Sequence, residues 1–342
     1  MNILTQAIKI INYEEGKVIS RQIMPEMGEY IEQMICYIRG NKSVREYHTQ
    51  SETTEVIHAV LNIKENYSDE QKVKQNEDLI ADRLLRVESN VQEQISSMGV
   101  KVQKGSLILS LVEDNNHSYF LLAKVEHTDF FDDYDYSVKT GFSKDEKKIW
   151  KTCLLDISTT HTDSLKATIY CNNMAKYWWH DFLELEEVHS DENNTRTAYK
   201  ALTTVLKRSL KKEAPYDHTV IQNAINAFFS SETVFDYEEM MERIIRNYTP
   251  NDMSGQKKEQ LMQDLWSLPE TKHFDHRFRS VPECIKPKMR KKYPVYSNIE
   301  VTLLGEIDNL SDVIQSCEES NGRRYLRIRV DNDETFNAFK CR

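Results

Sequence analysis

Two apolar octapeptides separated by a short polar turn constrain this chain more than any other feature. Gly105-Ser-Leu-Ile-Leu-Ser-Leu-Val112 is a buried-strand run, Glu113-Asp-Asn-Asn-His117 is a turn cluster, and Ser118-Tyr-Phe-Leu-Leu-Ala-Lys-Val125 is the return strand. Runs this apolar must be covered, so the pair reads as an antiparallel hairpin at the centre of a sheet. Glycine and proline are scarce around it. The 342 residues hold 9 Gly and 7 Pro, where average usage gives about 24 and 17. That scarcity disfavours turn-dense sandwiches, propellers and glycine-lined phosphate loops, and it favours long helices joined by a modest number of strands. Length sets a prior of two domains.

Upstream of the hairpin, Ile8, Ile10 and Asn12 alternate with Ala7, Lys9 and Ile11. Glu15-Gly16 makes a turn and Lys17-Val-Ile-Ser-Arg-Gln-Ile23 follows, giving two short strands. Pro25 opens a helical pattern with Met27, Tyr30, Ile31, Met34, Ile35 and Ile38 at three-and-four spacing, closed by Gly40-Asn41. Residues 42–75 are polar and give no clear pattern. Leu79, Ile80, Leu84, Leu85, Val87, Val91 and Ile95 mark a further helix that stops near Gly99. Residues 148–156 and 165–170 read as strands, and 174–185 as a short aromatic helix. Four helices follow, over 195–212, 218–229, 237–248 and 256–265, with Asp217 and Asp236 as N-caps and Pro215 and Pro250 as breaks. Residues 271–295 are irregular and basic, and 299–305 and 324–330 return to strands.

These segments predict an α+β protein: a central, mostly antiparallel sheet with flanking helices, and an all-helical insert. The sheet domain spans 1–190 and is completed by 296–342. The helical domain spans 191–270, and 271–295 is a basic connecting segment. No window has the roughly 18 apolar residues of a membrane helix, so no membrane partner is expected. The N-terminus breaks its apolar run with Gln6 and Lys9 and makes a poor signal peptide. The six cysteines are scattered and form no C-x-x-C, which reads as reduced thiols in a cytoplasm. No phosphate-loop, dinucleotide, zincin or hydrolase motif occurs, and neither a metal nor a cofactor is expected.

The order of the pieces resembles a known family. The strand–turn–strand–helix of 7–40 is followed by the central hairpin, by Leu154-Leu-Asp-Ile-Ser158, and by Leu165-Lys-Ala-Thr-Ile-Tyr170 leading into Ala175-Lys-Tyr-Trp-Trp-His-Asp-Phe-Leu183. Then come Asn194-Thr-Arg-Thr-Ala-Tyr-Lys-Ala-Leu202 and, near the end, Ile299-Glu-Val-Thr-Leu-Leu-Gly-Glu306. Together they resemble the bacterial nucleoid-associated NdpA-like (YejK) family over essentially the whole chain. The resemblance implies a cytoplasmic, nucleoid-located, non-enzymatic DNA-binding protein that forms a homodimer. No catalytic residue carries over with it.

Charge distribution bears on a DNA partner more than the net charge of −10. Lys200, Lys207, Arg208, Lys211 and Lys212 give residues 200–212 a net +5. Residues 272–292 carry +6, from Lys272, Arg277, Arg279, Lys286, Lys288, Arg290, Lys291 and Lys292 less Asp275 and Glu283. The remaining 308 residues hold −21. In Tyr325-Leu-Arg-Ile-Arg-Val330, Leu326, Ile328 and Val330 share one face, and Tyr325, Arg327 and Arg329 the other. The expected DNA-binding residues are therefore Lys286, Lys288, Arg290, Lys291, Lys292, Lys207, Arg208, Lys211, Lys212, Arg327 and Arg329. Nothing reads bases, so the expected function is backbone-dominated, sequence-tolerant binding of double-stranded DNA without catalysis. Each group has a plainer reading. Lys207, Arg208, Lys211 and Lys212 fit the solvated face of a helix whose Leu202, Val205, Leu206 and Leu210 are core. The stretch Pro287-Lys-Met-Arg-Lys-Lys-Tyr-Pro294 is a dense cluster held extended by its prolines, and Arg327 and Arg329 fit cross-strand ion pairs.

Two other functions stay open. One is a protein-interaction component of a multi-protein system such as phage defence, using the same basic islands or the aromatic helix. The other is a metal-dependent nuclease built on carboxylates such as Asp129, Asp132, Asp133 and Asp135, or on Glu270-Thr-Lys272. His273-Phe-Asp-His276, His161 with Asp163, and His180-Asp181 are unspecific.

Overall fold

The structure, a computed structural model, describes residues 1–142, 150–159, 164–171, 174–231 and 233–340. Lys148 and Ile149 of an expected strand, His161, Asp163 and Cys341 lie outside the described residues. The chain divides into two compact units, Met1–His189 and Ser190–Arg342. The class is α+β, with a large antiparallel sheet flanked by helices.

The first unit runs β1 (Asn2–Asn12), β2 (Lys17–Arg21), α1 (Glu26–Gly40), β3 (Arg45–Thr49), α2 (Glu55–Glu65), α3 (Glu70–Ile95), β4 (Gly105–Asp114) and β5 (His117–Glu126). A small hairpin, β6 (Thr128–Phe131) with β7 (Val138–Gly141), precedes β8 (Trp150–Asp156), β9 (Lys166–Cys171), a π-helical turn (Tyr177–Phe182) and β10 (Leu185–Glu187). Eight strands form one sheet in the order β10-β3-β9-β8-β5-β4-β1-β2, and every pairing is antiparallel.

The hairpin β4–β5 sits near its middle, as its apolar composition demands. Its loop is Asn115-Asn116, with φ of 50° and 65° and Asp114 paired to His117. Left-handed backbone at both central positions is the twist-matched two-residue connection, and Asn tolerates it. Side chains of β4 then alternate between two cores. Leu107, Leu109 and Leu111 pack with Val56, Val60, Ile80 and Leu84 of α2 and α3. Ile108 and Val112 pack with Ile31, Met34, Ile35 and Ile38 of α1. Helices on both faces explain why these strands show no polar alternation. Gly105 is required where β4 begins, since a Cβ there would lie 2.5 Å from the Val125 carbonyl oxygen.

Charged groups also enter this unit's interior. Lys124 of β5 is fully buried and paired with Glu88 of α3, and it donates to the Gln103 carbonyl at 2.7 Å. Lys9 of β1 meets Asp78 at 2.5 Å, Ser20 Oγ at 3.2 Å and Glu77 at 3.8 Å. Residues 42–75, hard to read in sequence, hold β3 and α2.

The second unit opens with α4 (Asp191–Leu210) and α5 (Pro215–Ser231). Next come β11 (Val234–Asp236), α6 (Tyr237–Met240) running into a π-helical turn (Met241–Arg246), α7 (Gly255–Trp266), α8 (Leu268–Lys272) and β12 (Arg277–Arg279). It ends with α9 (Lys286–Met289), β13 (Lys291–Tyr296), β14 (Ile299–Leu303), α10 (Leu310–Val313), β15 (Ile314–Glu318), β16 (Arg324–Ile328) and α11 (Asp333–Ala338). Its core gathers Leu202, Leu206, Ile225, Phe229, Phe235, Tyr237, Leu265 and Phe278, with Phe235 stacked on Phe278 at 4.6 Å across β11–β12.

Three expectations change here. The strands of 296–342 do not complete the large sheet. They form separate two-stranded ladders, β13–β14 and β15–β16, within the second unit. Each finds its hydrogen-bond partner in its nearest sequence neighbour, and Leu326 and Ile328, expected to face a core, are half-buried and exposed. The segment 271–295 is not a connector, because Phe274, Phe278, Ile285 and Met289 are buried in the second unit's core. Its proline-flanked stretch is extended only from Arg290 onward, and Lys286–Met289 is a helical turn.

Asp236 caps α6 through the Glu239 amide, as expected. Asp217 does not cap a helix. It lies in the first turn of α5, which starts at Pro215, and is buried. There it accepts from the Tyr248 hydroxyl at 2.6 Å and from the amides of Asn251 (2.8 Å), Asp252 (2.8 Å) and Met253 (2.6 Å).

Candidate nucleic-acid interface

The second unit's two basic islands meet in part. Lys207 and Lys211 lie one helical turn apart at the end of α4, on one face. Cations at a helix C-terminus are stabilised by the backbone dipole, which gives this placement a local physical reason. Lys291 starts β13 and is half-buried. Its pKa is pushed down by burial first, and then by the neighbouring charges of Lys211 and Lys207. His218 on α5 belongs to the same group: burial, then Lys291, Lys211 and Lys207, hold its pKa below the usual imidazole value. The charges of the three lysines thus act on one another and on the histidine. Among the described residues, none of Lys207, Lys211 and Lys291 has an ion-pair partner. Unpaired cations that repel one another favour any anion placed among them.

The other predicted residues divide into neutralised and free. Arg208 pairs with Asp264 at 3.1 Å, Lys286 with Glu283 at 3.4 Å, Lys292 with Glu300 at 2.8 Å and Arg329 with Asp331 at 3.4 Å. The four cations are exposed and only Asp264 among their partners is half-buried, so each pair is weak and exchangeable. Lys212, Lys288, Arg290 and Arg327 are exposed and have no ion-pair partner among the described residues. No interaction among the described residues joins Arg327 or Arg329 to the lysine group. The plainer reading of the α4 face holds alongside this geometry, since Leu202, Val205, Leu206 and Leu210 are core. Sequence reasoning missed His218. Its signal is its place three residues into α5, directly after the loop that carries Lys211 and Lys212.

Among the described residues, most of the carboxylates expected for metal chemistry, though not Asp133, are occupied otherwise. Asp132 accepts from Lys139 and from the Tyr134 amide, and Asp135 accepts from the hydroxyl and amide of Ser137, so both shape the turn of β6–β7. Those bonds hold both carboxyls below their usual range. Glu270 meets His276 at 3.3 Å, and Asp275 exchanges hydrogen bonds with Asn194. Among the described residues, no three His, Cys, Asp or Glu side chains converge as a metal site.

The first unit carries a polar cleft of about 500 Å³ between β1–β2 and α3, lined by Gln6, Lys9, Arg21, Lys74 and Glu77 among others. Burial pushes the Glu77 carboxyl up to about 7, against the attraction of Lys9. Among the described residues, no helix is long and apolar enough to cross a membrane. In comparisons with known proteins, no family model matches the chain, and no curated protein matches its sequence.

Proposed function

We propose that this protein is a nucleoid-associated, sequence-tolerant binder of double-stranded DNA. Its second unit holds the phosphate backbone, and it performs no catalysis. The observation that carries the reading is the unneutralised group of Lys207, Lys211 and Lys291, brought together from two basic islands 80 residues apart in sequence. Arg290, Lys288 and Lys212 extend the positive surface, while the weak pairs of Arg208, Lys286 and Lys292 are available to exchange a carboxylate for a phosphate. The acidic remainder of the chain confines binding to this surface, since like-charged faces repel DNA. The resemblance of its segment order to the NdpA-like family points to the same function, a nucleoid location and a homodimer. Fluorescence anisotropy of the full chain with a labelled blunt duplex of mixed sequence tests it. Binding is expected below about 50 mM salt, with affinity falling steeply as salt rises and unchanged when the sequence is scrambled. Absence of binding at low salt refutes the reading.

A further inference from the structure

Beside the lysine group lies a cleft of about 690 Å³, bounded by α5, the hairpin β13–β14, and α10 with the hairpin β15–β16. Three exposed tyrosines line it: Tyr216 at the start of α5, Tyr293 on β13 and Tyr325 on β16. Val295, Leu303 and Leu326 supply apolar wall. No carboxylate lines it among the described residues, and its one charged lining side chain is Arg324, which faces Glu318 at 3.0 Å. Tyr325 is tethered through its hydroxyl to Glu319 at 3.3 Å. In a chain with 55 acids in 342 residues, an aromatic cleft without a carboxylate is selective about its occupant. Carboxylates approach it from behind its β15–β16 end, where Glu318 holds Arg324 and Glu319 holds the Tyr325 hydroxyl, among the described residues.

The cleft and the cation group are built on the same elements. Side chains two apart on a strand share a face, so Lys291 and Tyr293 form one row along β13, ahead of the register irregularity between Pro294 and Tyr296. On α5, Tyr216, Thr219 and Val220 share the face that lines the cleft, and His218, whose pKa burial and the lysines depress, lies off that face. Phosphates on the lysines would therefore direct attached rings along that row. We propose that this cleft receives unpaired bases, stacked on Tyr216, Tyr293 and Tyr325, of a DNA strand whose phosphates lie on Lys207, Lys211 and Lys291. The inference rests on the DNA-binding reading and sharpens its substrate to DNA with a single-stranded stretch. Paired bases turn their faces to one another and cannot enter, whereas every unpaired base has a free π-face, so such stacking is sequence-tolerant.

The test is anisotropy of the full chain on a 20-nucleotide mixed-sequence single strand, and on the blunt duplex of that sequence, at equal salt. Two variants are compared, Tyr216→Ala/Tyr293→Ala/Tyr325→Ala and the corresponding triple Phe variant. Circular dichroism and thermal melting confirm that both fold, and all three positions are on the surface. The expected results are tighter binding of the single strand than of the duplex, and at least about a tenfold loss on the single strand in the Ala variant. Duplex affinity should stay within twofold, and the Phe variant should retain single-strand binding. Equal affinity for the two DNAs, an unchanged Ala variant, or loss in the Phe variant overturns the cleft assignment and leaves duplex binding standing. Absence of binding to either DNA overturns the DNA-binding reading itself.

Discussion

Asp217 joins the start of α5 to the loop at 248–253, and its removal is the sharpest test of how the second unit is held together. The buried carboxylate accepts four hydrogen bonds, from the Tyr248 hydroxyl and from the amides of Asn251, Asp252 and Met253. In Asp217→Ala, the amides of Asn251 and Asp252 are exposed enough to take water, costing about 0.5–1 kcal/mol each. The Met253 amide is buried and the Tyr248 hydroxyl half-buried, and their orphaning costs about 1–3 and 1 kcal/mol. The expected total is about 3–6 kcal/mol. Asp217→Asn keeps one acceptor and turns an amide donor toward other donors, so about 2–3 kcal/mol is expected. The pH dependence has a definite sign. Burial raises the Asp217 pKa, but the four hydrogen bonds outweigh it and leave it below the ordinary carboxylate value. Its contribution is therefore present above the unfolded pKa near 4 and is lost as pH falls through the folded value. Hydrogen exchange reads the loss locally: peptides over 215–253 should open more easily by that energy, while peptides from the first unit serve as control. Opening energies in the second unit within about 0.5 kcal/mol of the parent protein would refute the reasoning.

The first unit offers two further predictions. Folded Glu77 keeps its proton up to about pH 7, whereas the unfolded carboxyl releases it near 4.5, so stability falls as pH rises across that window. Glu77→Gln is expected to remove the decline and to exceed the parent by about 1–2 kcal/mol at pH 8, with no gain at pH 4, in urea melts. An equal decline in both proteins contradicts it. Lys124→Met leaves the Glu88 carboxylate buried with the Tyr177 hydroxyl at 3.3 Å as its remaining partner among the described residues. A loss of about 3–5 kcal/mol is expected, most of it recovered in the double variant Lys124→Met/Glu88→Leu. A double variant as unstable as the single one would show that the cost lies elsewhere.

The legible parts of this chain are those whose physics is local. The β4–β5 hairpin, α1 and α3 announce themselves through unbroken or three-and-four apolar spacing, and two asparagines mark the hairpin loop. Long-range decisions are not written in any one segment. Strands β13 to β16 look like sheet completions, but adjacent partners satisfy them first. Residues 42–75 are hard to read because β3 is five residues long and the three-and-four spacing of α2, Val56, Ile57, Val60 and Ile63, is short and flanked by polar sequence. Asp217 has the composition of a cap and serves instead as a tertiary clamp, which depends on the amides of 251–253 arriving from 34 residues away. At the candidate interface, the sequence shows two basic islands by charge count alone. It does not show that Lys292 and Arg208 are neutralised while Lys291 joins Lys207, because that depends on how β13 returns past α4.

The account's central claim is that Lys207, Lys211 and Lys291 act together on a phosphate backbone. The most direct measurement is the salt dependence of duplex binding for the parent protein and for Lys207→Ala/Lys211→Ala/Lys291→Ala. Each neutralised phosphate contributes about 0.9 to the slope of log affinity against log salt, so the triple variant should lose about 2.7 from that slope, alongside weaker binding on every sequence. A triple variant with the parent's slope and affinity would contradict the claim and place any DNA contact elsewhere on the chain.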